Sequence, residues 1–298
     1  MSAMSYAQET LERYWERIFR EADGRLTARE FLDERDLARV GELEEEPRDA
    51  SAARRHAARL ASAIAHGDVT DVERELMEDD ALRGLADADA DVSFLLVLAL
   101  AFGVAAGSGA CANYLGALFY LGSVVEPDYA RAKRLYEIAE RRGSVRAIVN
   151  LGYIYEYGRL GKPEHLAAYL QYAKACALTG DYEALYKLGD MYARGMVVEP
   201  DLMVAFTLYC KSFDAAAGEV EQAQAAFRIA ELIGDAANEA IWDIPFDPMG
   251  ALRLYQLAER GLRVDIAHGQ TYYDKRLAQS IVGQERMREL IDSGACEL

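Results

Sequence analysis

The chain has 298 residues, of which 52% are hydrophobic, and its 50 acidic against 33 basic residues give a formal net charge of −17 at pH 7. Nucleic acid phosphates require a basic footprint, so this charge excludes a nucleic acid partner. The chain is longer than a single small domain, and its length allows two domains.

Acidic residues concentrate at 42–46 and at 71–91, and the second segment carries nine acids against two arginines. Such runs are typical of a solvated surface that keeps a protein in solution. Attraction of a basic partner segment by the long-range field is the alternative.

Residues 1–70 are predicted to form a helical cap, with a separate functional domain as the alternative. A helical stripe of large apolar residues opens this region: Leu11, Tyr14, Trp15, Ile18 and Phe19. Thr27 and Glu30 have the spacing of a capping box, which predicts the start of a second helix. The segment G-E-L-E-E-E-P at 41–47 predicts a linker, and an alanine-rich helix is expected at about 50–65.

Residues 92–125 contain no charged side chain, which raises the question of a membrane segment. The most apolar run, Phe94–Ala106, is shorter than the roughly 20 residues that a spanning helix needs. A G-S-G turn at 107–109 follows it. The pattern therefore predicts two adjacent helices buried by their neighbours. The polar N-terminal segment does not have the pattern of a secretory signal, so a cytoplasmic protein is expected.

Three octapeptides share one pattern and begin at Leu115, Leu151 and Leu188, 36 and then 37 residues apart. They read L-G-A-L-F-Y-L-G, L-G-Y-I-Y-E-Y-G and L-G-D-M-Y-A-R-G. A period of this length is typical of stacked structural repeats.

A second motif follows each octapeptide and consists of an acid, an alanine four residues later and a tyrosine four residues after that. It occurs four times, the last copy being displaced by an insertion: Asp128, Ala132 and Tyr136; Glu164, Ala168 and Tyr172; Asp201, Ala205 and Tyr209; Asp247, Ala251 and Tyr255. This spacing predicts a second helix in each unit, capped by the acid and packed through the alanine and the tyrosine.

The residue types of the octapeptide indicate helix packing. The leucine and the aromatic four residues later share one face of a helix. The glycine after the leucine lets a neighbouring helix approach closely, and the final glycine can end the helix in a left-handed conformation. Each unit is then a helix pair too small to bury its own apolar face, so the units must stack.

These motifs resemble the Sel1-like repeat family, a relative of the tetratricopeptide repeats. The resemblance covers about 109–261 and implies an all-α fold, a right-handed superhelical α-solenoid of stacked antiparallel helix pairs with extra N-terminal helices. The disulfide-rich secreted branch of that family pairs cysteines within each repeat; this chain has no such pairs, so the β-lactam binding associated with that branch is not expected here.

The expected organisation has three parts. An N-terminal cap at 1–70 precedes a repeat array at 71–275, and a C-terminal capping helix follows at 276–298. The array would contain clear units at about 109–144, 145–180 and 181–217, and degenerate units at about 71–108, 218–261 and 262–275. In the fourth unit, Arg228 stands at the glycine position and Glu231 where an aromatic is expected, so this unit should pack differently.

The first helices of such a solenoid line its concave face, and their positions outside the packing motif are candidates for binding a partner. Tyrosine offers contact area with a polar tip, so a tyrosine-and-acid lining suits a peptide with basic and apolar side chains. Packing between adjacent first helices is the alternative role for these tyrosines. The predicted groove residues are Asn113, Tyr120, Asn150, Tyr153, Glu156, Tyr186 and Asp190.

The insertion I-W-D-I-P-F-D-P at 241–248 is apolar but interrupted by proline. It is predicted to fold back over the core, and an exposed interaction patch formed by Trp242 and Phe246 is the alternative.

No catalytic, cofactor or metal site is predicted. Four cysteines lack C-x-x-C spacing, and the histidines are scattered, so each histidine is expected at the surface or at a helix end: His56, His66, His165 and His268. The chain is therefore predicted to be a non-enzymatic scaffold that binds a protein or peptide. A structural protein that self-associates through its N-terminal helices or a solenoid end is the alternative.

Overall fold

The computed structural model describes residues 3–20, 26–44, 51–77 and 89–294, and these ranges contain helices and no strand. The helices are α1 (Ala3–Tyr14), α2 (Ala28–Phe31), α3 (Glu34–Leu43), α4 (Ala52–His66), α5 (Val69–Met77), α6 (Ala90–Ala105), α7 (Gly109–Leu121), α8 (Tyr129–Arg141), α9 (Val145–Glu156), α10 (His165–Thr179), α11 (Tyr182–Arg194), α12 (Leu202–Ala215), α13 (Glu219–Ile233), α14 (Ala237–Trp242), α15 (Pro248–Ala267), a 3₁₀ turn (Thr271–Tyr273) and α16 (Asp274–Asp292). The predicted all-α fold of antiparallel helix pairs is confirmed.

The chain divides into two compact units. The first comprises residues 1–154 and 159–162, and the second comprises residues 155–158 and 163–298. The last residues of α9 belong to the second unit.

The core of the first unit is built around α6, whose residues from Val92 to Ala105 are all buried. Helices α1, α2, α4, α5 and α7 contact it. A helix that is apolar on every side is stable when protein surrounds it, which confirms the prediction of buried helices. Within the described ranges, no helix combines the length and apolar character needed to cross a membrane.

The N-terminal segment packs on the first octapeptide helix. Leu11, Tyr14 and Ile18 are buried, and the rings of Trp15 and Phe119 meet edge to face at 5.5 Å between centroids. The predicted capping box is present, because the Glu30 carboxylate accepts the backbone N–H of Thr27 at 2.9 Å.

The predicted linker at 41–47 starts too early. Gly41 lies inside α3, where the Arg39 guanidinium pairs with the Glu42 carboxylate at 2.6 Å across one turn. Residues 45–50, residues 78–88 of the acidic segment at 71–91, and Cys296 lie outside the described residues.

In the repeats, the glycine after the leucine lies under the tyrosine of the second helix. A Cβ atom on Gly116 would be 2.7 Å from the Tyr136 ring, and one on Gly189 would be 2.5 Å from the Tyr209 ring. The alanine and tyrosine of all four second-helix motifs are buried: Ala132, Ala168, Ala205, Ala251, Tyr136, Tyr172, Tyr209 and Tyr255. The glycine thus sets how closely the two helices of a pair approach.

The turn inside each pair is also repeated. The final octapeptide glycines have left-handed φ angles of 71°, 59° and 61° at Gly122, Gly158 and Gly195. The backbone N–H of the following acid donates to the carbonyl of the octapeptide aromatic, at 3.0, 2.9 and 3.1 Å for residues 128, 164 and 201. The side chains of Asp128, Asp201 and Asp247 cap their helices as predicted, whereas Glu164 makes no such bond.

The fourth pair, α13 with α15, packs differently, as expected. Arg228 occupies the glycine position, and the Tyr255 ring lies instead against Gly283 of α16, where a Cβ would be 2.5 Å away. Phe227 meets Tyr255 edge to face at 5.9 Å between centroids. Gly269 and Tyr272, which partly match the octapeptide, lie in a turn and in the 3₁₀ turn, and the helix α16 begins after them.

We expect Gly189→Ala to destabilise the fold by about 2 kcal/mol, because its methyl group overlaps the buried Tyr209 ring. Gly41→Ala is the matched control, since no atom lies within 4 Å of a Cβ there and Gly41 is helical. It should stabilise α3 by about 0.5–1 kcal/mol. Urea unfolding measures both changes, and equal effects would contradict the glycine–tyrosine contact.

Candidate functional site

The predicted groove residues are divided between the two units. Asn113, Tyr120, Asn150 and Tyr153 lie in the first unit, and Glu156, Tyr186 and Asp190 lie in the second. Glu156 and Asp190 are buried, and the other five side chains are half-buried.

The first unit brings two pairs of polar side chains together. Asn150 Nδ2 donates to Asn113 Oδ1 at 2.9 Å, which links α7 with α9. Arg159 Nε donates to the Tyr120 hydroxyl at 3.2 Å, and its guanidinium lies 5.3 Å from the centroids of the Tyr120 and Tyr129 rings. Tyr153 lies on the same helix as Asn150.

Glu156 is the centre of a buried ionic group. Its carboxylate accepts the Tyr172 hydroxyl at 2.7 Å and pairs with the Lys187 ammonium at 3.0 Å. Lys187 also donates to the Tyr157 hydroxyl at 2.6 Å. Burial opposes the charged form of Lys187, but Tyr186 and Glu156 outweigh it and raise the pKa of the ammonium above its usual value.

Asp190 forms a second buried ionic group. Arg228 donates from Nε to Oδ1 at 2.8 Å and from Nη2 to Oδ2 at 3.1 Å, a bidentate pair between α11 and α13. The Tyr209 hydroxyl and Arg194 also donate to this carboxylate, at 2.8 and 3.1 Å. Burial works to raise the pKa of Asp190, but Arg228 and Arg194 hold it below its usual value.

Both acids are therefore held by groups of the protein itself. Removal of either would leave a buried cation unpaired, so these two positions stabilise the stack. Contact of Glu156 and Asp190 with a partner stays a prediction, and a partner would meet them only by displacing these cations.

Four tyrosines of the second unit form what we call the tyrosine surface: Tyr157, Tyr186, Tyr272 and Tyr273. The Tyr272 and Tyr273 rings pack at 4.4 Å between centroids, and the Tyr272 hydroxyl donates to Gln270 at 2.8 Å. The Lys187 ammonium contacts both the Tyr157 and the Tyr186 ring, and Arg276, three residues after Tyr273, donates to the Tyr186 hydroxyl, so the four side chains lie in one region.

Two cations support this surface from below. The Lys187 ammonium lies 4.7 Å from the Tyr157 ring centroid and 5.6 Å from that of Tyr186. Arg276 of α16 donates to the Tyr186 hydroxyl at 3.1 Å and also to Gln224 of α13. Arg276 therefore connects α16 with α11 and α13. Tyr272 is 71% exposed and Tyr157 49% exposed, so two rings are available to a partner.

The comparison with known families decides the nature of the repeated segments. The model of the Sel1 repeat matches residues 109–144, 145–179 and 183–216. These segments are Sel1 repeats.

One solved structure shows a similar helical-repeat fold. A Sel1 repeat protein from Oxalobacter formigenes is 17% identical, with a TM-score of 0.56, and the alignment covers 87% of this chain and 99% of that one. A protective antigen of uropathogenic Escherichia coli with an SLR fold is 14% identical, and the alignment covers 84% of this chain and 59% of that one. Its TM-score of 0.34 is too low to support an argument. No curated protein matches the chain.

Sel1-repeat proteins are generally non-catalytic helical scaffolds that bind other proteins. Within the described residues, no group of three or more potential ligand side chains could hold a metal ion. Burial raises the pKa of the Cys111 thiol to about 12 and that of Cys176 to about 11, so neither is a reactive thiolate at neutral pH.

The prediction that every histidine lies at the surface or at a helix end was wrong for His56. This residue is 1% exposed within α4, and its Nε2 lies 2.6 Å from the Glu75 carbonyl oxygen. The hydrogen bond to α5 allows the imidazole to be buried.

The insertion before α15 mostly folds back onto the core. Ile244 is fully buried, and Trp242 is partly buried against the same cluster, whereas Ile241 is 69% exposed. Phe246 is half-buried and lines an open depression of about 520 Å³ together with Leu290, Arg286 and Glu289. Contact of Trp242 and Phe246 with a partner stays a prediction.

Three residues of the tyrosine surface were not predicted. Tyr157 follows Glu156 in the second octapeptide, at a position where the other copies have Leu121 and Arg194. This difference between the copies is the sequence feature that could have pointed to Tyr157 as a binding residue. Tyr272 matches the octapeptide only in part, at its packing position, and it lies with Tyr273 in a 3₁₀ turn. Arg276 is 90 residues from Tyr186, and no local pattern connects them.

We expect Asp190→Asn to destabilise the Sel1 repeats by about 3 kcal/mol at pH 7, since it leaves Arg228 buried without its anion. Because the folded-state pKa of Asp190 is lowered, its stabilisation is present above the unfolded pKa of about 3.9 and is lost as pH falls through the folded value. The difference between wild type and variant should therefore shrink below about pH 4.

Urea unfolding at several pH values checks this expectation. Glu219→Gln is the control, because Glu219 pairs with Arg260 at 2.7 Å at the surface, with both side chains more than half exposed, and should change stability far less. A pH-independent loss at position 190 would contradict the ionic assignment.

Proposed function

We propose that the chain is a non-enzymatic scaffold that binds a protein or peptide on the tyrosine surface. Two exposed tyrosine rings lie among side chains that hydrogen bonds hold in place, and this observation supports the proposal. Tyr272 and Tyr157 expose their rings, while hydrogen bonds from Lys187 to Tyr157 and from Arg276 to Tyr186 and Gln224 fix the neighbouring side chains. Exposed aromatic side chains on a preorganised layer are typical of binding hot spots.

The partner segment that suits this surface is extended or helical, with apolar and basic side chains. Tyrosine rings provide apolar area, and the net charge of −17 favours encounter with basic segments. We place the protein in the cytoplasm, in keeping with the free thiols of Cys111, Cys176 and Cys210.

Selection from a random peptide library on the full chain tests the proposal. For a selected peptide, Tyr272→Ala should raise Kd about 10-fold or more, because an exposed aromatic anchor is lost. Val282→Ala is the control, since Val282 is 62% exposed on α16 of the same unit. Fluorescence anisotropy gives Kd, and the melting temperature of both variants should stay near that of wild type. Absence of selected peptides, or equal Kd for wild type and Tyr272→Ala, would overturn the proposal.

Self-association is a second candidate, favoured by α10. Three leucines along this helix are more than half exposed: Leu166, Leu170 and Leu178. Residues 165–179 include no acid and one lysine, so two copies could meet there without the repulsion that the net charge imposes elsewhere.

If α10 mediates a dimer, light scattering will give a mass near twice the 33.0 kDa of the chain at high concentration. The double variant Leu166→Glu with Leu170→Glu should then return the mass to that of one chain, because two acids would face each other across the interface. A monomeric wild type at every concentration would exclude this candidate.

A further inference from the structure

The second unit gathers three acidic side chains at one end. Asp190 of α11 pairs with Arg228 of α13, and Arg276 donates to Tyr186 and Gln224, which lie four residues earlier on the same two helices. These two levels of contact show that α11 and α13 run in the same direction. Glu183 and Glu221, in their first turns, therefore lie at the same end.

The last turns of α15 reach that end as well. Arg260 of α15 pairs with Glu219 of α13 at 2.7 Å. A Cβ on Gly261 would be 2.4 Å from the Glu219 carbonyl oxygen, so the two backbones are in close contact there. Asp265 follows one turn later, at the level where α13 begins.

The helix dipole explains why two of the three positions are acidic. Glu183 and Glu221 stand in the first turns of helices, where the positive end of the helix dipole stabilises a carboxylate. Asp265 stands in the last turn of α15, at the negative end of the dipole, where an anion is disfavoured.

Asp265 is also buried, with 9% of its surface exposed. Among the described residues, none forms an ion pair or a side-chain hydrogen bond with its carboxylate, whose oxygens are not fully buried and so can be reached from the surface. Burial raises its pKa, and Glu221 and Glu183 add to this effect, while His268 works against it. A buried carboxylate in such surroundings is unfavourable unless a cation compensates it.

An exposed aromatic ring lies one short turn away from Asp265. The backbone N–H of Gln270 donates to the Asp265 carbonyl at 3.0 Å, and the Gln270 side chain accepts the Tyr272 hydroxyl at 2.8 Å. Asp265 and Glu183 both raise the pKa of the Tyr272 phenol. The ring is fixed by Tyr273 and Gln270 but leaves 71% of its surface exposed. An aromatic face beside carboxylates attracts organic cations.

We propose that Asp265, Glu183 and the Tyr272 ring form a subsite for one basic side chain of the bound partner, an arginine or a lysine. The carboxylate of Asp265 would accept the cation's N–H groups, and the ring would cover its flat face or its methylene groups. This inference rests on the proposed function, because the cation arrives as part of a peptide on the tyrosine surface.

We expect the Asp265 carboxylate to lower the stability of the unbound protein and to raise its affinity for the partner. Asp265→Asn removes a buried unpaired charge and keeps the shape of the side chain, so the unbound variant should melt roughly 2 °C above wild type at pH 7. The folded-state pKa of Asp265 is raised above its unfolded value. Wild type and variant should therefore be equally stable below the unfolded pKa, and the wild type should become less stable than the variant as pH rises through the folded pKa. A carboxylate with a structural partner would give the opposite sign.

The binding test uses peptides selected from a random library on the full wild-type chain. Arginine or lysine should be enriched at one peptide position, and replacement by citrulline or norleucine there should raise Kd about 10-fold or more. Asp265→Asn should raise Kd equally for the basic peptide and leave Kd of the neutral peptide unchanged. Glu285→Gln, an exposed acid on α16, is the control and should leave both Kd values unchanged.

The outcomes separate the two proposals. If peptides bind and Tyr272→Ala weakens them, but no basic residue is enriched or Asp265→Asn has no effect, the cation subsite is refuted and the scaffold proposal stands. If no peptide is selected on wild type over Tyr272→Ala, the scaffold proposal fails as well. A lower melting temperature for Asp265→Asn would also refute the subsite.

Discussion

The contact between a glycine and a buried tyrosine ring sets the geometry of the repeats. At Gly116 and Gly189 the absent side chain leaves the space that Tyr136 and Tyr209 fill, so these two helix pairs close through the same contact. Any larger residue would push the second helix away and open the core. Where Arg228 replaces the glycine, the tyrosine of the fourth pair turns to Gly283 of the last helix instead.

That exception links stability with the binding surface. Once Arg228 is free of the packing contact, its guanidinium reaches Asp190 and joins α13 to α11. The same two helices, together with α16, support the tyrosine surface through Arg276. The irregular repeat is therefore the one that fixes the platform on which a partner would be held.

The sequence was sufficient for the helix pairs, because their glycine, alanine, tyrosine and capping acid repeat at a fixed period. It was less informative about polar side chains. Glu156 and Asp190 occupy repeat positions at which the copies differ, but both are buried in ion pairs with Lys187 and Arg228. Such ion pairs depend on which cation the neighbouring helix provides, and the repeat period does not predict this. Tyr272 escaped prediction because it lies between helices.

Hydrogen–deuterium exchange of the full chain, with and without a peptide selected on it, tests whether partners bind to the tyrosine surface of the second unit. Binding there should slow exchange only in α11, the 3₁₀ turn and the first turns of α16. Slower exchange at α10 or at the N-terminal helices, with none at residues 271–276, would contradict it.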